Sequence, residues 1–223
     1  MKSPLRRLGI SLGAATGAIV LAATLGSVPA QGDADVSPQS IPPGIPSLAD
    51  AESQLAGLTV EPEDSSDPYD RDLFPHWRVV DSPCTARQYV LLRDGTDVVT
   101  DDNCQPTSGS WYSEFDGETT DEAQDFDIDH LVPLAEAWRS GADSWTTDER
   151  ADFANDIDAP ALWSVSRSSN QEKGDSDPAD WMPSREAIHC DYAKAWINVK
   201  HEWDLSADSA EHAALEDILA TSC

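Results

Sequence analysis

Basic residues are scarce in this sequence. Fourteen Lys and Arg stand against 42 Asp and Glu in 223 residues, a formal charge of −28. That balance excludes a protein that grips nucleic acid or an anionic membrane through bulk electrostatics. It leaves room for an enzyme that reaches phosphate through a metal ion. Residues 1–68 contain no aromatic residue, no His and no Cys, yet they hold eight of the fifteen prolines. Aromatic side chains bury the most area per residue, so the core must lie in the last 155 residues, where every aromatic falls between Tyr69 and Trp203. No two of the four cysteines are spaced as C-x-x-C, which excludes a zinc knuckle or ribbon. No segment after residue 30 is long and apolar enough to span a bilayer.

The first thirty residues read as a signal peptide, residues 1–30. Lys2, Arg6 and Arg7 form a positive start, Leu8 to Gly26 is uncharged, and Val28-Pro29-Ala30 supplies a small-residue cleavage pattern with the cut after Ala30. The mature chain then carries 11 basic against 42 acidic residues, a charge of −31, and is expected to be secreted, with no stable membrane association. Residues 31–68 read as a linker rich in Pro, Ser and Asp. Within it, Ser47 caps a short helix near 48–57, which is expected to dock on the domain while Gln31–Pro46 stays mobile. Residues 69–223 form the folded domain.

Inside the domain, Gln88–Arg93 and Asp97–Thr100 flank Asp94-Gly95 and read as a hairpin. Trp111–Phe115 and Glu118–Thr120 flank Asp116-Gly117 and read as a second one. Phe126–Val132 alternates apolar and polar residues and ends at Pro133, as a strand does. Helices are expected at Leu134–Ser140, Thr147–Ala154, Ser184–Trp203 and Ser209–Ala220, with a short strand at Ala161–Ser166 and a helix start near Ser169. An exported chain with an even number of cysteines favours disulfides, and three pairings are open. The expected hairpin favours Cys84–Cys104, and Cys190–Cys223 would tie the last helix to the long one.

Two segments carry chemistry. In Asp125-Phe126-Asp127-Ile128-Asp129-His130-Leu131-Val132-Pro133, a carboxylate beside a histidine at a strand end can hold a hard cation and a neutral imidazole base together. A regular strand points Asp129 and His130 to opposite faces, so one site can use both only where the strand bends or ends. In Asn170-Gln171-Glu172-Lys173, the amide oxygen of Asn170 suits Mg²⁺ coordination. Lys173, one helical turn on, can face the same spot and neutralise charge on a phosphate.

Strand, Asp-His-x-x-Pro, short strand and Asn-x-x-Lys at a helix start together resemble the HNH, or His-Me finger, endonucleases. The chain most resembles small secreted nucleases whose domain is similar to the C-terminal HNH domain of GmrSD restriction enzymes. The pattern runs through Tyr69-Asp70-Arg71, Phe74-Pro75-His76-Trp77, Asp127 to Leu134, Asn170 to Asp175 and Asp177 to Trp181, and continues on one helical face at Tyr192, Trp196, Lys200 and Trp203. The resemblance implies an α+β fold with a ββα-metal core, extra helices and two disulfides. It implies that His130 is the general base and that Asp129 and Asn170 hold one divalent cation, Mg²⁺ above all. Asp127 would orient a metal-bound water, and Lys173 would assist at the phosphate. His76 is either part of the site or a structural hydrogen-bonding residue. Many such sites carry an asparagine on the middle strand that braces the loop before the histidine; here Pro160-Ala161-Leu162-Trp163 stands there, so backbone carbonyls must supply the brace. The implied function is metal-dependent hydrolysis of phosphodiesters in nucleic acid, DNA above all. The rival readings are a catalytically inactive acidic binding module on the same fold and a carboxylate-pair glycosidase, which would need no cation.

Overall fold

The computed structural model describes residues 40–223. The expected signal peptide and residues 31–39 of the linker lie outside the described residues. Seven helices and seven short strands follow one another through the described part, a mixed α/β arrangement with three small antiparallel sheets. Helix α1 (Leu48–Gly57) starts where Ser47 accepts from the Asp50 amide. It buries Ala51 and Leu55 against α6 (His189–Glu202) and α7 (Ser209–Ser222). The end of the expected mobile linker is seated as well. Ser40 Oγ donates to Glu114 at 2.8 Å, and further on Ala207 N–H donates to the Thr59 carbonyl at 2.9 Å.

The first expected hairpin is displaced by one element. Residues 88–93 are not a strand but part of helix α2 (Ala86–Asp94). The cause is a capping box: Thr85 N–H donates to Gln88 Oε1 at 2.8 Å, and Gln88 N–H donates back to Thr85 Oγ1. Gly95 ends this helix instead of turning a hairpin. An added Cβ there would lie 2.4 Å from Val98 Cγ2 and 2.6 Å from Trp111 Nε1, so only glycine lets the chain pass beneath the indole. The hairpin proper joins β3 (Thr96–Thr100) to β4 (Pro106–Tyr112), and β5 (Thr119–Thr120) pairs with the far end of β4 as the second expected hairpin requires. Before α2, β1 (Val79–Asp81) and β2 (Cys84–Thr85) form a separate ribbon. Both expected disulfides are present. Cys84–Cys104 ties β2 to the β3–β4 turn, and Cys190–Cys223 ties the start of α6 to the residue after α7.

The centre of the domain is the hairpin of β6 (Phe126–His130) and β7 (Leu162–Ser166), with Asp129 opposite Trp163 and His130 opposite Leu162. Helices α3 (Leu134–Arg139) and α4 (Thr147–Ala154) lie between the two strands in sequence, and α5 (Arg167–Lys173) follows β7 directly. The α4 start is again a capping box, Thr146 with Glu149. One face of the hairpin, Phe126, Ile128 and Leu162, packs on Val90, Leu91 and Trp111. Trp163 and Val165 from the other face join the main core of Phe74, Phe115, Tyr192 and Trp196. Apolar area removed from water contributes about 25 cal/mol per Å², so burying this aromatic cluster stabilises the fold. The long helix is shorter than expected, because Glu186–Ile188 form a 3₁₀ turn before it.

Candidate active site

Period-two alternation along β6 decides what the site contains. Asp127 and Asp129 face α5, whereas His130 shares the face of Phe126 and Ile128. The last ladder pair is His130 with Leu162, so the strand ends at the histidine, and Leu131 N–H donates to the Ala161 carbonyl at 2.9 Å. That bond continues the ladder one residue past the histidine.

His130 is 7% exposed, and its ring stacks on Trp77 at 5.4 Å between centroids. Nε2 lies 2.9 Å from the Ala154 carbonyl oxygen. A carbonyl only accepts, so Nε2 carries the hydrogen and, in the neutral ring, Nδ1 carries the lone pair. Burial pushes the imidazole down to about 3, opposed by the Ala154 bond, and the positive charge of Arg71 nearby lowers it further. The ring is therefore neutral at physiological pH. The Trp77 segment is itself pinned. Asn155 Nδ2 donates to the Pro75 carbonyl at 2.8 Å, and its Oδ1 accepts from Arg78 N–H at 2.7 Å. His76 Nδ1 faces the Phe74 carbonyl at 2.8 Å, a structural hydrogen bond.

On the other face, Lys173 is fully buried and donates to Asp129 Oδ1 at 2.8 Å and to the His130 carbonyl at 3.0 Å. The sequence pointed this lysine at a phosphate. The structure spends it on the Asp-His backbone instead, because α5 lies against β6 and leaves the ammonium no path to solvent. Burial raises Asp129 to about 6, and the Lys173 charge pulls it back. Asp129 Oδ2 is buried and takes no hydrogen bond among the described residues. Asn170 Nδ2 donates to Asp127 Oδ2 at 3.0 Å, which leaves the amide oxygen of Asn170 free to act as a ligand. Ser169 Oγ donates to Asp116 Oδ2 at 2.7 Å, and Ser166 binds the same oxygen, so the start of α5 is locked to the β4–β5 loop.

The structure thus brings together Asp127 with Asn170, and Asp129 with Lys173. His130 meets them only through the strand end. Sequence reading missed Trp77 as the ring's support, Asn155 as the clamp on that segment, and Arg87. Arg87 Nη2 donates to the Phe126 carbonyl at 3.0 Å, next to Asp127. Only the capping box at Thr85 and Gln88 could have placed Arg87 on a helix; nothing local marks Asn155. Glu63, Asp177 and Asp208 also converge, with oxygens within 4.8 Å of one another. Asp177 and Asp208 already cap turns, accepting from Ala179 N–H and Ala210 N–H at 2.6 Å each.

Residues 86–218 match the family described as GmrSD restriction endonucleases, C-terminal domain. An uncharacterized secreted protein of Arthroderma benhamiae is 48% identical over 185 residues, which cover 83% of this chain and 91% of that one. No solved structure matches. Two closed disulfides and no free cysteine agree with the secreted relative, and the protein is secreted. Among the described residues, no helix is long and apolar enough to cross a membrane.

Proposed function

Because the chain belongs to the family of GmrSD restriction endonuclease C-terminal domains, we propose that it is an endonuclease hydrolysing phosphodiester bonds of nucleic acid, DNA above all, with a histidine general base and one divalent cation. In this reading β6, β7 and α5 are the ββα-metal unit. The observation that carries it is the geometry of His130, a ring stacked on Trp77 with Nε2–H fixed on Ala154 and the lone pair on Nδ1. A general base needs that lone pair and a fixed ring. Nδ1 takes the proton of the attacking water, while Trp77 and the Ala154 carbonyl keep the ring from turning away.

The residues present fit a hard cation. An orphaned carboxylate oxygen costs desolvation energy unless a ligand meets it, and Asp129 Oδ2 is such an atom. Asp129 Oδ2 and the Asn170 amide oxygen would hold the ion, with Asp127 beside them; hard oxygen donors of this kind suit Mg²⁺. The cation would polarise the scissile phosphate and stabilise the leaving 3′ oxygen. Lys173 is a positioning residue that holds Asp129 Oδ1 and the His130 backbone in place. The test is incubation of the mature protein with plasmid, linear DNA and RNA, in Mg²⁺ and in EDTA. Cleavage in Mg²⁺ that EDTA abolishes is expected. No cleavage of any substrate with any divalent cation would overturn this reading in favour of an inactive binding module.

A further inference from the structure

Residues 40–223 contain eleven Lys and Arg. Among the described residues, eight of them lie within 4 Å of a carboxylate. The exceptions are Arg71, Arg87 and Arg150. Arg150 is buried and committed, since its guanidinium donates to the carbonyls of Leu73 and Ala142 and lies over the Trp138 ring at 5.5 Å. Arg71 and Arg87 remain. In a chain so rich in carboxylates an arginine with none within 4 Å is conspicuous, and these two border opposite ends of the Asp127–His130 segment. Arg71 is exposed on the turn that leads into Trp77, and its charge is felt at His130. Arg87 is half-buried and spends one nitrogen on the Phe126 carbonyl, beside Asp127. Asp127 lies close enough to attract it, and Arg167 close enough to repel it. Two arginines at the ends of that segment, neither within 4 Å of a carboxylate among the described residues, point to an anion that meets them.

We infer that Arg71 and Arg87 are phosphate contacts of the substrate strand, Arg71 on the His130 side and Arg87 on the Asp127 side of the site. The inference rests on the nuclease reading and adds the residues that hold the substrate. An arginine fork matches a phosphate with two parallel N–H donors. Two local contacts also explain how a protein that repels polyanions overall can still seat one, since such contacts set register without reading sequence.

The test is kcat and KM on a short DNA duplex at fixed Mg²⁺, across a series of KCl concentrations. Arg71→Gln and Arg87→Gln are each expected to raise KM about tenfold or more, as loss of a charge-assisted contact does, with kcat nearly unchanged. Each should also make the slope of log(kcat/KM) against log salt shallower by about 0.9, the value of one phosphate contact. Arg78→Gln, whose guanidinium already faces Asp148 and Asp152, should change neither. Gln at 87 retains a donor for the Phe126 carbonyl. Arg87→Lys retains the charge and should keep the parent slope, which separates phosphate binding from a folding defect. If the parent cleaves and either Gln variant shows the parent KM and slope, the assignment of that arginine is overturned. If the parent cleaves nothing, the nuclease reading fails and the arginine contacts fail with it.

Discussion

Replacing Glu211 by Gln should make the stability of this protein depend on pH in a new way, and the reason lies in one buried lysine. Lys200 is fully buried and donates to Glu136 Oε1 at 2.8 Å, Glu211 Oε2 at 2.6 Å and the Ser206 carbonyl at 2.8 Å. One ammonium serves two carboxylates, and they are not equivalent. Glu136 also receives Arg139 at 2.9 Å and the Ser140 hydroxyl at 2.5 Å. Burial works to raise it, yet the Lys200 charge and hydrogen bonds with Glu63, Lys200 and Ser140 carry it down to about 2. Glu211 has only Lys200 and the Trp196 indole, so burial dominates and raises it to about 7 from its ordinary 4.5. A carboxyl whose folded pKa is raised binds its proton more tightly when folded. Its contribution to stability is complete below about pH 4.5 and is lost as pH rises through about 7. A shift from 4.5 to about 7, at 1.36 kcal/mol per pH unit, amounts to about 3 kcal/mol. Glu211→Gln removes the titration. The variant should therefore gain about 3 kcal/mol on the parent between acid and mildly alkaline pH, whatever constant offset the amide introduces. Urea unfolding of both proteins across that range, with disulfides intact, measures the difference directly. A difference that stays flat from about pH 4 to pH 8 would show that Glu211 ionises in the ordinary range and that the pocket does not hold its proton.

The remaining predictions concern the site and the staples. His130→Ala should lose at least ~10²-fold in cleavage rate, the lower end of what general-base catalysis supplies, with an unchanged circular dichroism spectrum; a folded variant that cuts at the parent rate would remove His130 from the mechanism. Asp129→Ala leaves the Lys173 ammonium buried without a counter-charge and should destabilise by about 3–5 kcal/mol, whereas Asp129→Leu with Lys173→Met should recover most of that stability in denaturant titrations and no activity. Excess Mg²⁺ should partly restore cleavage by Asn170→Ala, because that variant loses a ligand and no buried charge partner; a rate insensitive to added Mg²⁺ would remove Asn170 from the cation site. Replacing Cys190 and Cys223 by Ser opens a loop of 33 residues and should lower stability by about 3–4 kcal/mol in the chain-entropy account, read as a fall in the urea midpoint.

Local chemistry was enough for much of the fold and for where the site lies. Thr146 followed three residues later by Glu149 starts α4, and Ser209 begins α7 where expected. The alternation of Phe126-Asp127-Ile128-Asp129 marks β6, and the Asp-His and Asn-x-x-Lys segments name the neighbourhood of the site. These signals act over a few residues, so one sequence carries them. The same short range misled at Gln88–Arg93. There Asp94-Gly95 imitates a hairpin turn, and only the packing of Val90 and Leu91 against Trp111 shows a helix face. Both disulfides were legible, the first for a hairpin that lies one element later than it was placed. What the tertiary structure alone decided is which side chains are spent and which are free. The Ala154 carbonyl, 24 residues from His130, selects the imidazole tautomer, and α5 folding onto β6 seals Lys173 against Asp129 while leaving one carboxylate oxygen bare. A proton's position and a desolvation energy depend on distances between segments remote in sequence, and no local pattern of residue types contains those distances.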